Sequence, residues 1–275
     1  MSTDAEAAPL SSPEIEASLQ TQILGRSLRL YDTVESTNQT ALGLAASGAA
    51  SGTIVLAEAQ VAGRGRMRRA WHSPPRANLY CSILLRPSLP PTLVSTWLCW
   101  LPLVTGVGIL KAIKQVTGID ALLKWPNDIL IKTRKVAGIL CESSGSGTSG
   151  ISVVVGIGIN VNMNRNEFPD ELAGMATSLA CEAGRRFSRN TLVATLLNDL
   201  ESRIGMITSD TSQPVLQEYA SLCATIGREV QVTLATGEIL KGLARSLTAD
   251  GALSVIQAGT SQPRLVYAGD VVHVR

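Results

Sequence analysis

The sequence predicts an α+β fold, in which a larger domain of helices and strands is followed by a small β-barrel. Of the 275 residues, 45% are apolar, which is enough to build a sizeable core. Helical and strand-like patterns succeed one another as far as residue 226. Beyond Gly227 the chain changes to short alternating strands separated by turn signals, a texture typical of a small barrel. We therefore predict a short, partly flexible N-terminal segment (1–26), a main domain (27–226) and a C-terminal barrel (227–275).

The composition excludes several classes of protein. Lys and Arg total 24 and Asp and Glu 22, so the formal charge of +2 argues against a general binder of polyanions. The five cysteines are widely spaced and form no CxxC pair, which predicts neither a disulfide framework nor a zinc ribbon. Because there are only two histidines, a His-rich metal centre is excluded. The first 20 residues are acidic and lack the features of a signal peptide, so we expect a cytoplasmic protein.

The first half of the main domain is predicted to contain strands and two helices. The strands are expected at 27–31, 53–58 and 78–85. The first helix begins near residues 35–38, where Ser or Thr is a suitable N-cap, and ends at Gly48. The second helix covers 93–117. Residues 87–110 carry no charge and meet the length criterion for a membrane span, but their prolines and glycines favour a buried core helix. We expect no membrane contact.

The second half is predicted to contain antiparallel strands followed by a helical region. Successive strands are expected at 122–125, 129–132, 136–142 and 151–161. The Gly/Ser-rich residues 143–150 are predicted to form a flexible hairpin loop. Apolar residues at helical spacing predict that 191–224 is mostly helical.

A loop rich in glycine and arginine, residues 60–69, is the strongest motif. Gly63 and Gly65 allow a tight turn and a close approach of the backbone to a ligand. The arginines at positions 64, 66, 68 and 69 suit a carboxylate or a phosphate, which guanidinium groups bind in bidentate fashion. By itself, the run is as compatible with a solvated basic loop or a nucleic-acid patch.

Three further segments each have a structural explanation when taken alone. KWPND at 124–128 contains turn-forming residues, and Lys135 beyond it can be a solvated lysine. GIGIN at 156–160 lacks the third glycine of a dinucleotide-binding turn, and its glycines can mark close backbone approach. ESTN at 35–38 can be a helix cap.

Taken together, in this order and spacing, the segments resemble the biotin protein ligases over residues from about 29 to 275. The resemblance rests on GRGR with a following W-x-S-P and N-L-Y-x-S, then KWPND, K-x-A-G-I-L-x-E and G-I-G-I-N-V. It implies a class II synthetase-like catalytic domain, a mixed β-sheet packed with helices, and a Src-homology-3-like C-terminal barrel. Because about 28 residues precede the match, the chain is similar to the ligase-only class without an N-terminal DNA-binding domain.

The resemblance implies a reaction in two steps. Biotin is activated with ATP and Mg²⁺ to biotinyl-5′-AMP, and is then transferred to a lysine of a biotin carboxyl carrier protein, a subunit of acetyl-CoA carboxylase. Biotin and ATP are both anionic, and two like charges about 4 Å apart repel by roughly 4 kcal/mol at an effective dielectric constant of about 20. Arginine and lysine side chains are suited to offset this repulsion. The chemistry needs no enzyme nucleophile, in keeping with the lack of an obvious triad.

The resemblance also assigns site residues. Biotin contacts fall on Ser36, Thr37, Asn38, Gln60, Arg64, Gly65, Arg66 and Lys135. ATP contacts fall on Arg66, Arg69, Trp71, Lys124, Asn127 and Asn160, with Trp71 packing against the adenine. The catalytic cations are expected to be Arg64, Arg66 and Lys135, and Asp128 is a candidate to lie near Mg²⁺. We further expect the glycine-arginine loop to close over the adenylate and exclude water.

Two positions depart from the family pattern, because Arg68 and Arg76 stand where the family often has glycine. Either change could stiffen the loop or alter how it folds over a ligand. The sequence leaves the oligomeric state open, and homodimers occur in the family.

Two other functions stay open. A lipoate protein ligase shares the catalytic fold and the adenylation chemistry, although GRGR, KWPND and the C-terminal barrel favour biotin. A nucleic-acid-binding module is opposed by the small net charge and the aromatic content of 4%. We therefore expect biotin, ATP and a carrier protein as partners, and no nucleic acid.

Overall fold

A seven-stranded mixed β-sheet forms the centre of the main domain. The computed structural model describes residues 8–145, 150–207, 212–260 and 262–274, so most of the hairpin loop predicted at 143–150 lies outside the described ranges. The strands are β1 Ser27–Val34, β2 Thr53–Gln60, β3 Leu79–Leu85, β4 Leu122–Lys124, β5 Asp128–Ile131, β6 Arg134–Ser144 and β7 Ser152–Ile159. Their spatial order is β1-β2-β3-β7-β6-β5-β4. β1 and β2 run parallel, and every other neighbouring pair is antiparallel.

Helices cover both faces of this sheet. They are α1 Ser12–Ser18, α2 Thr37–Ala46, α3 Pro91–Thr117, α4 Leu179–Ala183, α5 Arg189–Gly205 and α6 Ser212–Leu222. The alternation of side chains along β2 explains the two layers, because Ile54 and Leu56 join the large core that contains α3 and α5. Val55, between them, packs instead with Ala41 and Ala45 of α2. The prediction of a mixed sheet packed with helices is confirmed.

The long apolar helix α3 lies in the core of the domain. It is long and apolar enough to cross a membrane. However, Trp100, Leu101 and Val104 are buried in the main hydrophobic core, which is the packing expected of a core helix. α3 ends at Gly118, whose φ of 77° is the left-handed conformation that closes a helix. The predicted helical region 191–224 is two helices, because α5 ends at Gly205, a residue with low helix propensity.

Hydrogen bonds to α5 hold the described part of the N-terminal segment in place. Ile15 of α1 is fully buried. Asn190 accepts a hydrogen bond from the Ser11 N–H at 3.0 Å, and the Glu201 carboxylate accepts three from the backbone of residues 22–24. These contacts join the segment to the main domain.

The C-terminal domain is a separate five-stranded antiparallel sheet. Its strands are β8 Glu229–Thr233, β9 Ile239–Leu247, β10 Leu253–Ile256, β11 Arg264–Val266 and β12 Asp270–His273, in the order β11-β10-β9-β8-β12. Gly237 and Gly251 have φ values of 86° and 81° and make the predicted turns possible. Alternate residues of β9, such as Leu240 and Ala244, are buried. The predicted small β domain is therefore present.

Candidate active site

A pocket lies where the N-terminus of α2 meets the central strands of the main sheet. It is lined by Ser36, Thr37, Asn38, Gln60, Arg64, Gly65, Arg66, Trp71, Asn127, Lys135, Gly138, Ile139, Leu140, Gly156, Ile157 and Gly158. All eight residues predicted to contact biotin are in this lining, and so are three of the six predicted to contact ATP. Segments more than 100 residues apart along the chain thus meet around one cavity.

The glycines of the GIGIN motif make room for side chains from other segments. Gly158 pairs across the sheet with Gly138, and the indole of Trp71 lies against both. A Cβ atom on Gly158 would come within 2.5 Å of the indole, and one on Gly156 within 2.1 Å of Asn38 Oδ1. The motif therefore serves close packing around the pocket, the role that the sequence had suggested.

A hydrogen-bonded group of neutral side chains forms the wall beside α2. Gln60 Oε1 accepts from the Thr37 N–H at 2.9 Å, which orients both residues. The hydroxyl of Ser82, on β3, lies 2.8 Å from Thr37 Oγ1 and 2.7 Å from Asn38 Oδ1. Sequence reasoning gave Ser82 no role. The only signal was its position in N-L-Y-x-S.

Three cationic side chains also line the pocket. Arg66 donates to Asn127 Oδ1 at 2.9 Å, and burial lowers its pKa. Lys135 Nζ lies 2.6 Å from Asp128 Oδ1 and 5.3 Å from the centre of the Trp71 ring. Arg64 is more exposed, with its Nη2 3.7 Å from Glu142 Oε1. The three cations outnumber their two carboxylate partners, Asp128 and Glu142, so the pocket keeps an excess positive charge that can bind an anionic group.

The glycine-arginine loop has an unusual backbone. Met67 and Arg68 have φ values of 53° and 59°, and Arg76 one of 60°, all in the left-handed region. Arg68 and Arg76 are the two positions at which the sequence departs from the glycines of the family pattern. Because a non-glycine residue there costs about 1–2 kcal/mol, Arg68 strains the loop, and Arg76 strains the segment that follows it.

The same loop contacts the C-terminal domain. Arg69 donates to both carboxylate oxygens of Asp270, and the distance from Arg69 Nη1 to Asp270 Oδ1 is 3.1 Å. Arg66 Nη1 lies 3.2 Å from the carbonyl oxygen of Gly269. The hydrogen bond from Arg69 is the main reason that the pKa of Asp270 lies below its ordinary value. Neither Gly269 nor Asp270 was predicted as a site residue.

The remaining predicted ATP contacts lie outside the pocket lining. Asn160 is buried and donates to the carbonyl oxygen of Thr177 at 3.0 Å, which joins the end of β7 to the segment that precedes α4. Lys124 faces Asp128 across the β4–β5 pair. The ATP assignments of Arg69, Lys124 and Asn160 stay predictions.

The described residues contain no cluster of three His, Cys, Asp or Glu side chains that could hold a metal ion. Asp128 Oδ1 is buried and makes no hydrogen bond, although it contacts the Lys135 ammonium. Mg²⁺ commonly binds through one or two carboxylates and the phosphates of a substrate. Asp128 fits such a site.

Comparisons with known proteins agree on one family. The model of the biotin/lipoate A/B protein ligase family matches residues 30–162, and that of the biotin protein ligase C-terminal domain matches 225–274. A biotin–[acetyl-CoA-carboxylase] ligase of Mycobacterium tuberculosis is 36% identical over 276 residues, covering 97% of this chain and 98% of the relative. The bifunctional ligase/repressor BirA of Bacillus subtilis is 36% identical over 228 residues, covering 83% and 69%.

A solved structure shares the architecture. The biotin protein ligase from Aquifex aeolicus in complex with biotin and ATP matches with a TM-score of 0.76 and 27% identity. The match covers 91% of this chain and 99% of that one. The likeness therefore extends through the main domain and the C-terminal domain together.

Proposed function

The chain belongs to the biotin protein ligases of the biotin/lipoate A/B protein ligase family, and from this premise we propose that it makes biotinyl-5′-AMP and biotinylates a carrier protein. The acceptor is a lysine of the biotin carboxyl carrier protein of acetyl-CoA carboxylase. One observation carries the proposal: the eight residues assigned to biotin from the sequence line a single pocket.

The neutral and the cationic side chains of the pocket suit the two ends of biotin. The ureido group has both N–H donors and a carbonyl acceptor, which match the amide and hydroxyl groups of Thr37, Asn38 and Gln60. The biotin carboxylate is an anion and suits two cations of the pocket, Arg66 and Lys135. An acid without a ureido group would leave the neutral wall without partners, so the pocket favours biotin over lipoate.

In the first step, a carboxylate oxygen of biotin attacks the α-phosphorus of ATP and pyrophosphate leaves with the electron pair of the broken P–O bond. Arg66 and Lys135 offset the repulsion between the two anions and stabilise negative charge that develops on the α-phosphate. Asp128 is the residue suited to hold Mg²⁺, which would add charge neutralisation on the phosphates when bound. The Trp71 indole, which lies on the glycine pair beside Lys135, offers a face against which the adenine can stack.

In the second step, the acceptor lysine amine attacks the acyl carbon of the mixed anhydride. An amide forms, AMP leaves, and the proton of the amine passes to solvent or to the leaving group. The residues of this chain bind and orient the adenylate, and the glycine-arginine loop keeps water from hydrolysing it. We place this reaction in the cytoplasm, and a homodimer is a proposal that light scattering can test.

A nucleic-acid role for the loop has less support. Arg66 is bonded to Asn127 and Gly269, and Arg69 is paired with Asp270, so these guanidinium groups are already engaged. A duplex would have to compete with these internal contacts for both arginines.

The test is incubation of the protein with biotin, MgATP and a biotin carboxyl carrier domain, followed by intact-mass spectrometry. We expect the carrier to gain one biotinyl group, and a carrier in which the acceptor lysine is replaced by arginine to gain none. Omitting ATP should also abolish labelling. An unlabelled wild-type carrier, or transfer of lipoate in place of biotin, would overturn the proposal.

A further inference from the structure

Glu142 is a carboxylate at the edge of the pocket that the reaction above does not use. It lies on β6, and its side chain is 27% exposed. Its Oε2 accepts a hydrogen bond of 2.7 Å from Asn38 Nδ2, and its Oε1 lies 3.7 Å from Arg64 Nη2. Glu142 therefore contacts one residue from the start of α2 and one from the glycine-arginine loop.

The contact with Glu142 determines which way the Asn38 amide points. Asn38 Nδ2 donates to Glu142 Oε2 and to the carbonyl oxygen of Leu140, at 3.1 Å. Both partners are acceptors only, so both N–H bonds of the amide are used. The reversed amide would place its oxygen against two other oxygens. Asn38 Oδ1 must therefore point the other way, towards the hydroxyl of Ser82 at 2.7 Å.

Asn38 Oδ1 keeps one lone pair for a ligand. An amide oxygen has two lone pairs, and Ser82 uses one. Asn38 is nearly fully buried and lines the pocket, so an unused acceptor there is costly unless a ligand satisfies it. A ureido N–H is a donor that would satisfy it.

We infer that Glu142 is a positioning residue for biotin: by fixing the amide of Asn38, it makes that side chain an acceptor for a ureido N–H. This inference rests on the proposed function. Glu142 acts through Asn38 and has no contact with the reacting atoms, so its loss should weaken biotin binding and leave ATP binding unchanged. The exposed contact with Arg64 contributes little, because ion pairs of this kind are worth at most about 1 kcal/mol.

The experiment compares Glu142→Gln with Glu142→Ala in the full chain. A glutamine oxygen can still accept from Asn38, so we expect the Kd for biotin, measured by calorimetry, to stay within about threefold for Glu142→Gln. Glu142→Ala removes a charged hydrogen-bond partner and should raise the Kd by about tenfold or more. In both variants the KM for ATP should stay within about twofold of the wild-type value. The control is Glu238→Gln, which removes an exposed ion pair in the C-terminal domain and should change neither constant.

Two double variants test whether Glu142 acts through Asn38. In an Asn38→Ala background, Glu142→Ala should raise the Kd by less than about twofold further, because the partner is already absent. Asn38→Asp alone puts a second carboxylate beside Glu142 and should weaken binding. Adding Glu142→Gln to it should restore part of the binding, because the glutamine amide can donate to the new carboxylate while the carbonyl oxygen of Leu140 still lacks its donor. If Glu142→Ala fails to fold, the comparison of Asn38→Asp with the double variant Asn38→Asp/Glu142→Gln still tests the inference.

A Kd that is unchanged in Glu142→Ala, or an equal loss with and without Asn38, would overturn the inference. Wild-type protein that binds no biotin would instead overturn the proposed function itself. The two failures are therefore separable in one set of titrations.

Discussion

Arg69 of the glycine-arginine loop forms a bidentate ion pair with Asp270, the first residue of β12, 201 positions away along the chain. The glycine-arginine loop and the C-terminal domain are thereby joined directly. The arrangement suggests that the C-terminal domain helps to hold the loop in the conformation that places Arg66 beside Asn127.

Removing this pair should loosen the loop. For Asp270→Ala we expect faster protease cleavage within the loop, and a fall in kcat/KM for ATP of no more than about fivefold, because a part-exposed ion pair contributes at most about 1 kcal/mol. Glu238→Gln, which breaks an exposed pair elsewhere in the same domain, is the matched control. Cleavage at the wild-type rate in Asp270→Ala would contradict the coupling.

The pH dependence of this contact follows from the pKa of Asp270, which the hydrogen bond from Arg69 lowers. A carboxyl group with a depressed folded-state pKa contributes stability above its ordinary value of about 4 and loses it as the pH falls through the lower value. Loop cleavage of the wild type should therefore be constant from pH 8 to about 5 and rise below about 4. Asp270→Ala should lack this rise. An acid-induced rise of the same size in both proteins would exclude Asp270 as its source.

Arg68→Gly should relieve backbone strain in the loop. The left-handed φ of 59° costs a non-glycine residue about 1–2 kcal/mol, while glycine loses roughly 0.5–1 kcal/mol more backbone entropy on folding. We expect a net gain of up to about 1.5 kcal/mol, centred on about 0.8 kcal/mol, in the free energy of unfolding measured in urea. Arg68→Ala removes the same side chain but keeps the strain, so it is the control. Equal stability of the glycine and alanine variants would show that φ has no part in the effect.

Local sequence signals predicted the elements of the site, but not the contacts between distant side chains. Gly63 and the family glycine missing at Arg68 both correspond to real backbone requirements: a Cβ on Gly63 would come within 2.6 Å of the Trp71 carbonyl oxygen, and Arg68 has a left-handed φ. Gly65 has an extended backbone and room for a Cβ, so the prediction that it needs to be glycine is not supported. In contrast, the sequence assigns no role to Asp270, and Glu142 stands only as the last residue of the motif K-x-A-G-I-L-x-E, without a function of its own. Their roles depend on partners about 100 and 200 positions away, for which no local periodicity exists.

The N-terminal segment shows the same limit. Its composition suggested a short, partly flexible segment, and nothing in it predicted that Glu201 would bind three of its N–H groups. When a side chain accepts hydrogen bonds from the backbone of a distant segment, neither segment contains a local sequence pattern that predicts the contact. The buried pair of Arg189 and Glu58 is a further case, since each residue alone resembles a surface charge.

Gly158→Ala tests the packing of Trp71 against the sheet. The new methyl group would lie 2.5 Å from the indole, so the ring must move. Overpacking of this kind costs about 1–3 kcal/mol. Because the indole is the proposed adenine platform, we expect this cost to appear in kcat/KM for ATP, as a fall of about 5- to 160-fold. Gly43→Ala is the control, because no atom lies within 4 Å of a Cβ there. If Gly158→Ala is as active as Gly43→Ala, the position of the indole has no part in catalysis.

Arg66→Ala and Lys135→Ala test the cations of the pocket. If each side chain stabilises charge on the α-phosphate during adenylation, its removal should cost about 2–4 kcal/mol of transition-state stabilisation, by analogy with the loss of one oxyanion donor. Single-turnover release of pyrophosphate isolates this step from the transfer to the carrier. Lys111→Ala is the control, because Lys111 of α3 is a partly exposed lysine that pairs with Glu218 of α6 and does not line the pocket. The loss should appear in the rate of adenylation, and preformed biotinyl-5′-AMP should reduce the deficit because it bypasses the step. Turnover within about twofold of wild type in either variant would remove that residue from the mechanism.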